Sequence, residues 1–287
     1  MTVDPVAEKY RQSVLRTYRY LRLGMVVLVV LLGVALVLER SRAGHLLDSI
    51  SAYYYTPAHA VFVASLCAVG SCLIIYRGRS DVEDVILNGA GFLAFVVAFV
   101  PTSRGEAECN PQAAFCDIPA STVEANITAL LIIGAVGLVL GYLTSVRPTQ
   151  VTAHAQPIDA PARKLFYVLT SGFVLLVAAF TLAREKFLQW GHYSAAVLLF
   201  LAMVVVVVLS GLHLNREHAS STGNHTMLRR WYWGSFASMI VAIVVILVAR
   251  VAGLNHWVFY LEGSVIIGFA VFWIIQTFGE VWDEPAA

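Results

Sequence analysis

The sequence predicts an all-α polytopic membrane bundle of about eight transmembrane helices. Hydrophobic residues make up 59% of the 287, charged residues only 13%, and mean hydropathy is +0.76. A soluble domain carries about 25% charged residues. Uncharged apolar runs of spanning length recur along the chain, and Lys and Arg gather in alternate connections between them. The formal charge of +1, from 19 basic and 18 acidic residues with no long basic block, removes the electrostatic footprint that nucleic-acid binding needs.

A spanning helix needs roughly 20 mostly apolar residues. Eight runs qualify, at about 21–38, 58–76, 85–100, 123–146, 165–183, 193–214, 232–249 and 257–278. The first follows basic residues as a secretory signal would, yet no small-x-small cleavage site follows it, so it is read as a retained span. With the amino terminus in the cytoplasm, 13 basic residues fall inside: Lys9, Arg11, Arg16, Arg19, Arg22, Arg77, Arg79, Arg147, Arg163, Lys164, Arg216, Arg229 and Arg230. The other six, Arg40, Arg42, Arg104, Arg184, Lys186 and Arg250, fall outside. The expectation is a multi-pass protein of a bacterial inner membrane with both termini cytoplasmic. A seven-span count with one re-entrant helix would leave the carboxyl end outside.

Cysteine usage agrees with this orientation. Cys109 and Cys116 share the outer loop between spans three and four, where an oxidising compartment would let them form a disulfide. A zinc hairpin is the rival reading, and it lacks a nearby histidine. Cys67 and Cys72 lie inside span two and read as small packing residues.

Dividing the chain gives two four-span halves, 1–147 and 164–287, joined by a polar, Pro- and Ala-containing linker at 148–163. Parallel features suggest two repeats of the same orientation, since four spans return the chain to the same face. Each second span opens with a histidine, His59 or His192, and each fourth carries a glutamate near its outer end, Glu124 or Glu262. The repeat predicts these four residues at one depth around a common cavity.

An intramembrane carboxylate costs a few kcal/mol and points to a site or to a local partner. Glu262, five residues after Trp257, is the leading case, with ligand binding weighed against a structural bond to Arg250, Arg104 or His192. Glu124 closes Ser121-Thr-Val-Glu124, a capping box at the start of span four. His59 and His192 fit solvated histidines at the outer boundary or, with the acids, a metal or proton-titrating pair. Tyr54 is the middle of three consecutive tyrosines that suit either the aromatic belt or a binding lid. Asp81-Val-Glu-Asp84, after Arg77 and Arg79, reads as a solvated inner turn, and the Gly70, Gly91, Gly134 and Gly137 patches read as close helix contacts.

Ser49-Ile-Ser-Ala-Tyr-Tyr-Tyr-Thr56, Val61-Phe-Val63, Tyr76-Arg-Gly78, Pro101-Thr102, His192-Tyr-Ser-Ala-Ala196 and Phe259-Tyr-Leu-Glu262 together resemble a bacterial family of uncharacterised multi-pass membrane proteins. That resemblance covers most of the chain in outline and brings no chemistry with it. It breaks at Ala58-His59-Ala60, where a charged pair is expected. The outer loop leading into span two is similar to DRAM-like eukaryotic membrane proteins, which implies a link with membrane and lipid organisation.

The functional expectation is an outward-facing polar pocket that binds or transports a small ligand, ion or lipid, with Glu262 and His192 leading and Glu124, His59 and Tyr54 secondary. Membrane lipids are the expected surroundings, and no motif names a cofactor. The alternatives are an intramembrane metal-dependent hydrolase, in which His192 would hold a water-activating metal, and a non-catalytic structural or partner-binding protein. No catalytic motif is complete.

Overall fold

The computed structural model describes residues 5–102, 119–147, 157–218 and 226–279. Among them are eight α-helices and no strand: α1 (Pro5–Ala43), α2 (His59–Ile75), α3 (Asp81–Phe99), α4 (Ala120–Gly141), α5 (Ala160–Leu182), α6 (Arg184–His218), α7 (Thr226–Val251) and α8 (Trp257–Gly279). A 3₁₀ turn (Ser51–Tyr55) precedes α2, and a π turn (Tyr142–Val146) ends α4. Seven of the helices are long and apolar enough to cross a membrane, while α2 has 17 residues. This is an all-α multi-pass membrane protein.

At about 1.5 Å per residue α2 is some 25 Å long, near the lower limit for a span. Its contacts show that it nevertheless joins the two ends of the bundle. Just before it, Ile50 and Tyr54 cluster with Leu32 and Leu36 of α1. Just after it, Tyr76 meets Arg22 of α1 and Trp273 of α8. The same two levels are linked by α6, whose His192 bonds to Val100 after α3 and whose Ser210 bonds to Glu83 at the start of α3. Alternate connections therefore lie at a "Glu262 end" and an "Arg22 end".

The Arg22 end is stapled by charges that sequence reading assigned to solvent. Arg22 is buried, donating from Nε and Nη2 to Tyr76 Oη (3.1 and 2.7 Å) and from Nη1 to Gln276 O (3.1 Å), which ties α1, α2 and α8. Asp81-Val-Glu-Asp84 is no solvated turn. Ser80 caps α3 by accepting from Glu83 N, and this places three acids in the first turn, where the free amides favour negative charge. Glu83 is 1% exposed, with Oε2 accepting from Arg79 N (2.8 Å) and Oε1 from Ser210 Oγ (3.3 Å) of α6. Protein donors, from the turn on one side and from α6 on the other, thus take the place of water around that carboxylate. Asp159 caps α5, and its own amide donates to Asp81 Oδ2 (2.9 Å).

Two segments read as loops are helical. Between α5 and α6 the connection shrinks to Ala183, because α6 starts at Arg184 and not near Tyr193. The amino-terminal basic stretch likewise continues α1 as one 39-residue helix. Helices α1 and α8 pack on each other, as do α3 and α6, so the first four helices lock onto the last four. The expected disulfide between Cys109 and Cys116 lies outside the described residues, as does Arg104. Cys67 and Cys72 are free thiols.

Lipid offers no hydrophobic drive for helix association, so contact quality decides it. The tightest approach joins α2 and α3. A Cβ on Gly91 would sit 2.5 Å from Gly70 O and 2.6 Å from Ile74 Cγ1, and one on Gly70 would sit 2.8 Å from Gly91 O. Gly134 is similarly covered by the Phe92 and Phe173 rings, whereas Gly137 has nothing within 4 Å. Gly91→Ala is therefore expected to cost about 1–3 kcal/mol by overpacking against backbone, with Gly137→Ala neutral. Thermal unfolding in mild detergent checks this, and equal midpoints for the two variants would refute the close approach.

Candidate functional site

The carboxylate of Glu262 organises its end of the bundle. From the second turn of α8 its Oε2 accepts from Ile50 N (2.6 Å) and its Oε1 from Ser51 Oγ (3.2 Å), with the side chain 8% exposed. The loop answers in kind. Asp48 O accepts from Phe259 N (2.9 Å) in the first turn of α8, and His256 Nδ1 lies 2.8 Å from Asp48 Oδ1. Amides at a helix start have no partner within the helix, so loop and helix each satisfy the other's open backbone. Gly253 (φ 92°) and His256 (φ 55°) make the tight turn that aims α8 at the loop. Arg250 at the end of α7 stacks on Trp257, 4.3 Å from the ring centre.

Held in this way, the loop roofs a cavity of about 520 Å³. One wall is α6, through His192, Tyr193, Ala196, Val197 and Phe200; the other is α8, through Trp257, Val258, Leu261 and Glu262. His45 to Ser49, Ser51, Ala52 and Thr102 complete the lining. His192 is 2% exposed. Its Nδ1 lies 2.6 Å from Val100 O, and the Val97 carbonyl also faces the ring. These are carbonyls at the carboxyl end of α3, which have no helical donor and carry partial negative charge. A nitrogen against a carbonyl must carry the proton, so Nδ1 donates and Nε2 presents a lone pair. That Nε2 is buried and has no hydrogen-bond partner among the described residues.

The other sequence candidates lie apart from this cavity's lining. Glu124 forms an ion pair with Arg184 (3.0 Å), both partly exposed. The expected capping box at Ser121 does not form, because α4 starts two residues earlier behind Pro119, which supplies no side-chain cap. His59 Nδ1 lies 2.6 Å from Tyr54 O, with its ring edge-on to Tyr54 at 4.4 Å. Tyr53 and Tyr54 are buried in the 3₁₀ turn, and Tyr55 donates to Thr102 O (2.6 Å). The tyrosines thus build the floor beneath the loop and not a belt at the headgroups. Burial, with a smaller contribution from Tyr55, pushes the Tyr54 phenol up to about 12.

Sequence reasoning brought out Glu262 and His192 but missed Asp48, Ile50, Ser51 and Thr102. Ile50 and Thr102 act through backbone atoms, which leave no side-chain signature, and Asp48 does so in part, through its carbonyl to Phe259. Among the described residues no group of three or more His, Cys, Asp or Glu could hold a metal ion.

The class is thus a polytopic helical membrane protein with a roofed cavity at one end. No family model, no curated protein and no solved structure matches the chain.

Two outcomes follow for the loop. Glu262→Ala strands the Ile50 amide and should cost about 1–3 kcal/mol while exposing 44–58 to limited proteolysis; Glu262→Gln, which keeps an acceptor, should be milder. Unchanged proteolysis in the alanine variant would dissolve the latch. For Tyr54 the folded-state pKa of about 12 exceeds the ordinary value of about 10. Its neutral form therefore contributes stability that is intact below pH 10 and lost as pH rises through 12. Ultraviolet titration of tyrosinate should show a late-ionising phenol that disappears in Tyr54→Phe.

Proposed function

We propose that this protein is a multi-pass inner-membrane protein whose outward-facing pocket binds or transports a small ligand, ion or lipid. The observation that carries the reading is His192, which lines a cavity of about 520 Å³ and whose buried Nε2 lone pair has no partner among the described residues. Leaving such an acceptor unmade costs about 1–3 kcal/mol. Cavity size is in the range of small-molecule pockets, which run from about 300 to 1,000 Å³ and combine apolar walls with a few placed polar groups.

Orientation rests on charge. Thirteen of the 19 Lys and Arg belong to the Arg22 end by the connectivity of the spans, and the positive-inside rule puts that end in the cytoplasm with both termini. The pocket then opens outward.

The structural reading accounts for Glu262, Glu124 and His59, each of which has a local partner. It does not account for the cavity or for Nε2. The hydrolase reading needs a ligand set that the described residues do not supply.

His192→Asn separates the roles, because asparagine can keep a donor where Nδ1 stands and removes the Nε2 lone pair. Native mass spectrometry of protein purified in mild detergent is expected to find a bound small molecule or lipid on the wild type and to lose it in the variant, with little change in melting temperature. The same bound species on both proteins would overturn the reading.

A further inference from the structure

The pocket's polar groups share one hydrogen-bonding character. His192 offers a lone pair at Nε2 because its proton is committed to Val100 O. Glu262 has room for about four hydrogen bonds; Ile50 N and Ser51 Oγ take two, and the Ser51 amide also faces it. Asp48, half exposed and with one oxygen 2.8 Å from His256 Nδ1, adds a second carboxylate to the lining. Among the described residues lining the cavity there is no Lys or Arg, and the one further histidine, His45, is exposed with its Nδ1 3.1 Å from Ala43 O. Two acids and a lone pair repel an anionic head and reward a group that donates hydrogen bonds and carries positive charge.

The walls differ from the roof. Ala196, Val197, Phe200, Val258 and Leu261 are apolar. Val197 lies inside the spanning part of α6 and is 57% exposed, so this wall continues into the lipid-facing surface. A ligand seated on Glu262 and His192 would thus run its remainder along α6 toward the hydrocarbon layer.

We infer that the pocket takes an amphiphile with a primary ammonium head, its N–H groups on His192 Nε2 and the Glu262 carboxylate and its apolar tail along Val197 and Phe200. This rests on the pocket reading above and names its ligand class. A primary ammonium has three donors to spend. A quaternary head has the charge and no donor, and a carboxylate head has the wrong sign.

The test uses full-length protein in phosphatidylcholine nanodiscs and four probes: dodecylamine, dodecyltrimethylammonium, dodecanoate and free ethanolamine. Shift of the thermal unfolding midpoint is the readout, with displacement of a fluorescent dodecylamine derivative as the second measurement. Dodecylamine is expected to bind at least about tenfold more tightly than each of the others, and His192→Asn to weaken it about tenfold, the effect of one charge-assisted hydrogen bond. Equal or tighter binding of dodecanoate or the trimethyl probe, still sensitive to His192→Asn, would overturn the ammonium head and leave the pocket standing. Ethanolamine binding as tightly as dodecylamine would overturn the apolar tail. Binding of every probe unchanged by His192→Asn, together with unchanged co-purifying species, would overturn the pocket itself.

Discussion

One exchange of hydrogen bonds, between Glu262 on α8 and the Ile50–Ser51 segment, sets the half of the molecule that holds the cavity. The loop between α1 and α2 is buried from Ile50 to Tyr54, and its open amides need acceptors. Glu262 supplies them from a helix whose own first amides need a carbonyl, and Asp48 supplies that in return. Neither partner would be satisfied alone. The trade places Ser51 and Ala52 over the cavity and lets Tyr53 and Tyr54 sink into a second small core with Leu32, Leu36 and Phe62. An acid inside a span is costly, and here the cost is offset by the loop it orders.

The two ends of the bundle use buried charge differently. At the Arg22 end, guanidinium and carboxylate bond to neighbouring helices and to the short turn before α3, and this draws α1, α2, α3, α6 and α8 together. At the Glu262 end the carboxylate bonds to a loop, and a loop spans a space that a helix would fill. The cavity is a consequence of that choice. Gly70 and Gly91 add to the contrast, because they close α2 onto α3 at backbone contact where no side chain intervenes.

Much of the architecture was legible from hydropathy, since a span's length and a connection's charge are properties of composition. Each of the eight expected segments matches a helix, and the acid in the last one stands near its start; His192, expected to open its span in solvent, is instead buried in the third turn of α6. What was not legible depends on partners remote in sequence. Glu83 looked like one charge in a hydrated Arg-Asp-Glu turn, and only Ser210, 127 residues away, and the Arg79 amide reveal it as buried. Glu124 looked like half of a capping box, and a helix start shifted by two residues left it to pair with Arg184. The helical stretch from Arg184 to Gly191 was hidden because charged residues next to a span read as loop, although they are also good helix formers. Tyr54 suited either the aromatic belt or a binding lid, and its burial with Tyr53 in the 3₁₀ turn depends on Leu32, Leu36 and Phe62, which local sequence does not reveal.

His192 shows why position alone could not settle a role. Two nitrogens on one ring meet different environments: Nδ1 lies against the carboxyl end of α3, where carbonyls outnumber donors, and Nε2 is buried without a partner among the described residues, on a side chain that lines the roofed cavity. The first contact fixes the tautomer, and the tautomer fixes what the second can accept. A histidine at the same place with its proton on Nε2 would present a donor and suit an anion. Because α3 ends at Phe99 with its last carbonyls open, the ring has no such freedom. The polarity of the pocket is thus written by a helix terminus that does not itself line it, and the acids at Asp48 and Glu262 agree with it in sign.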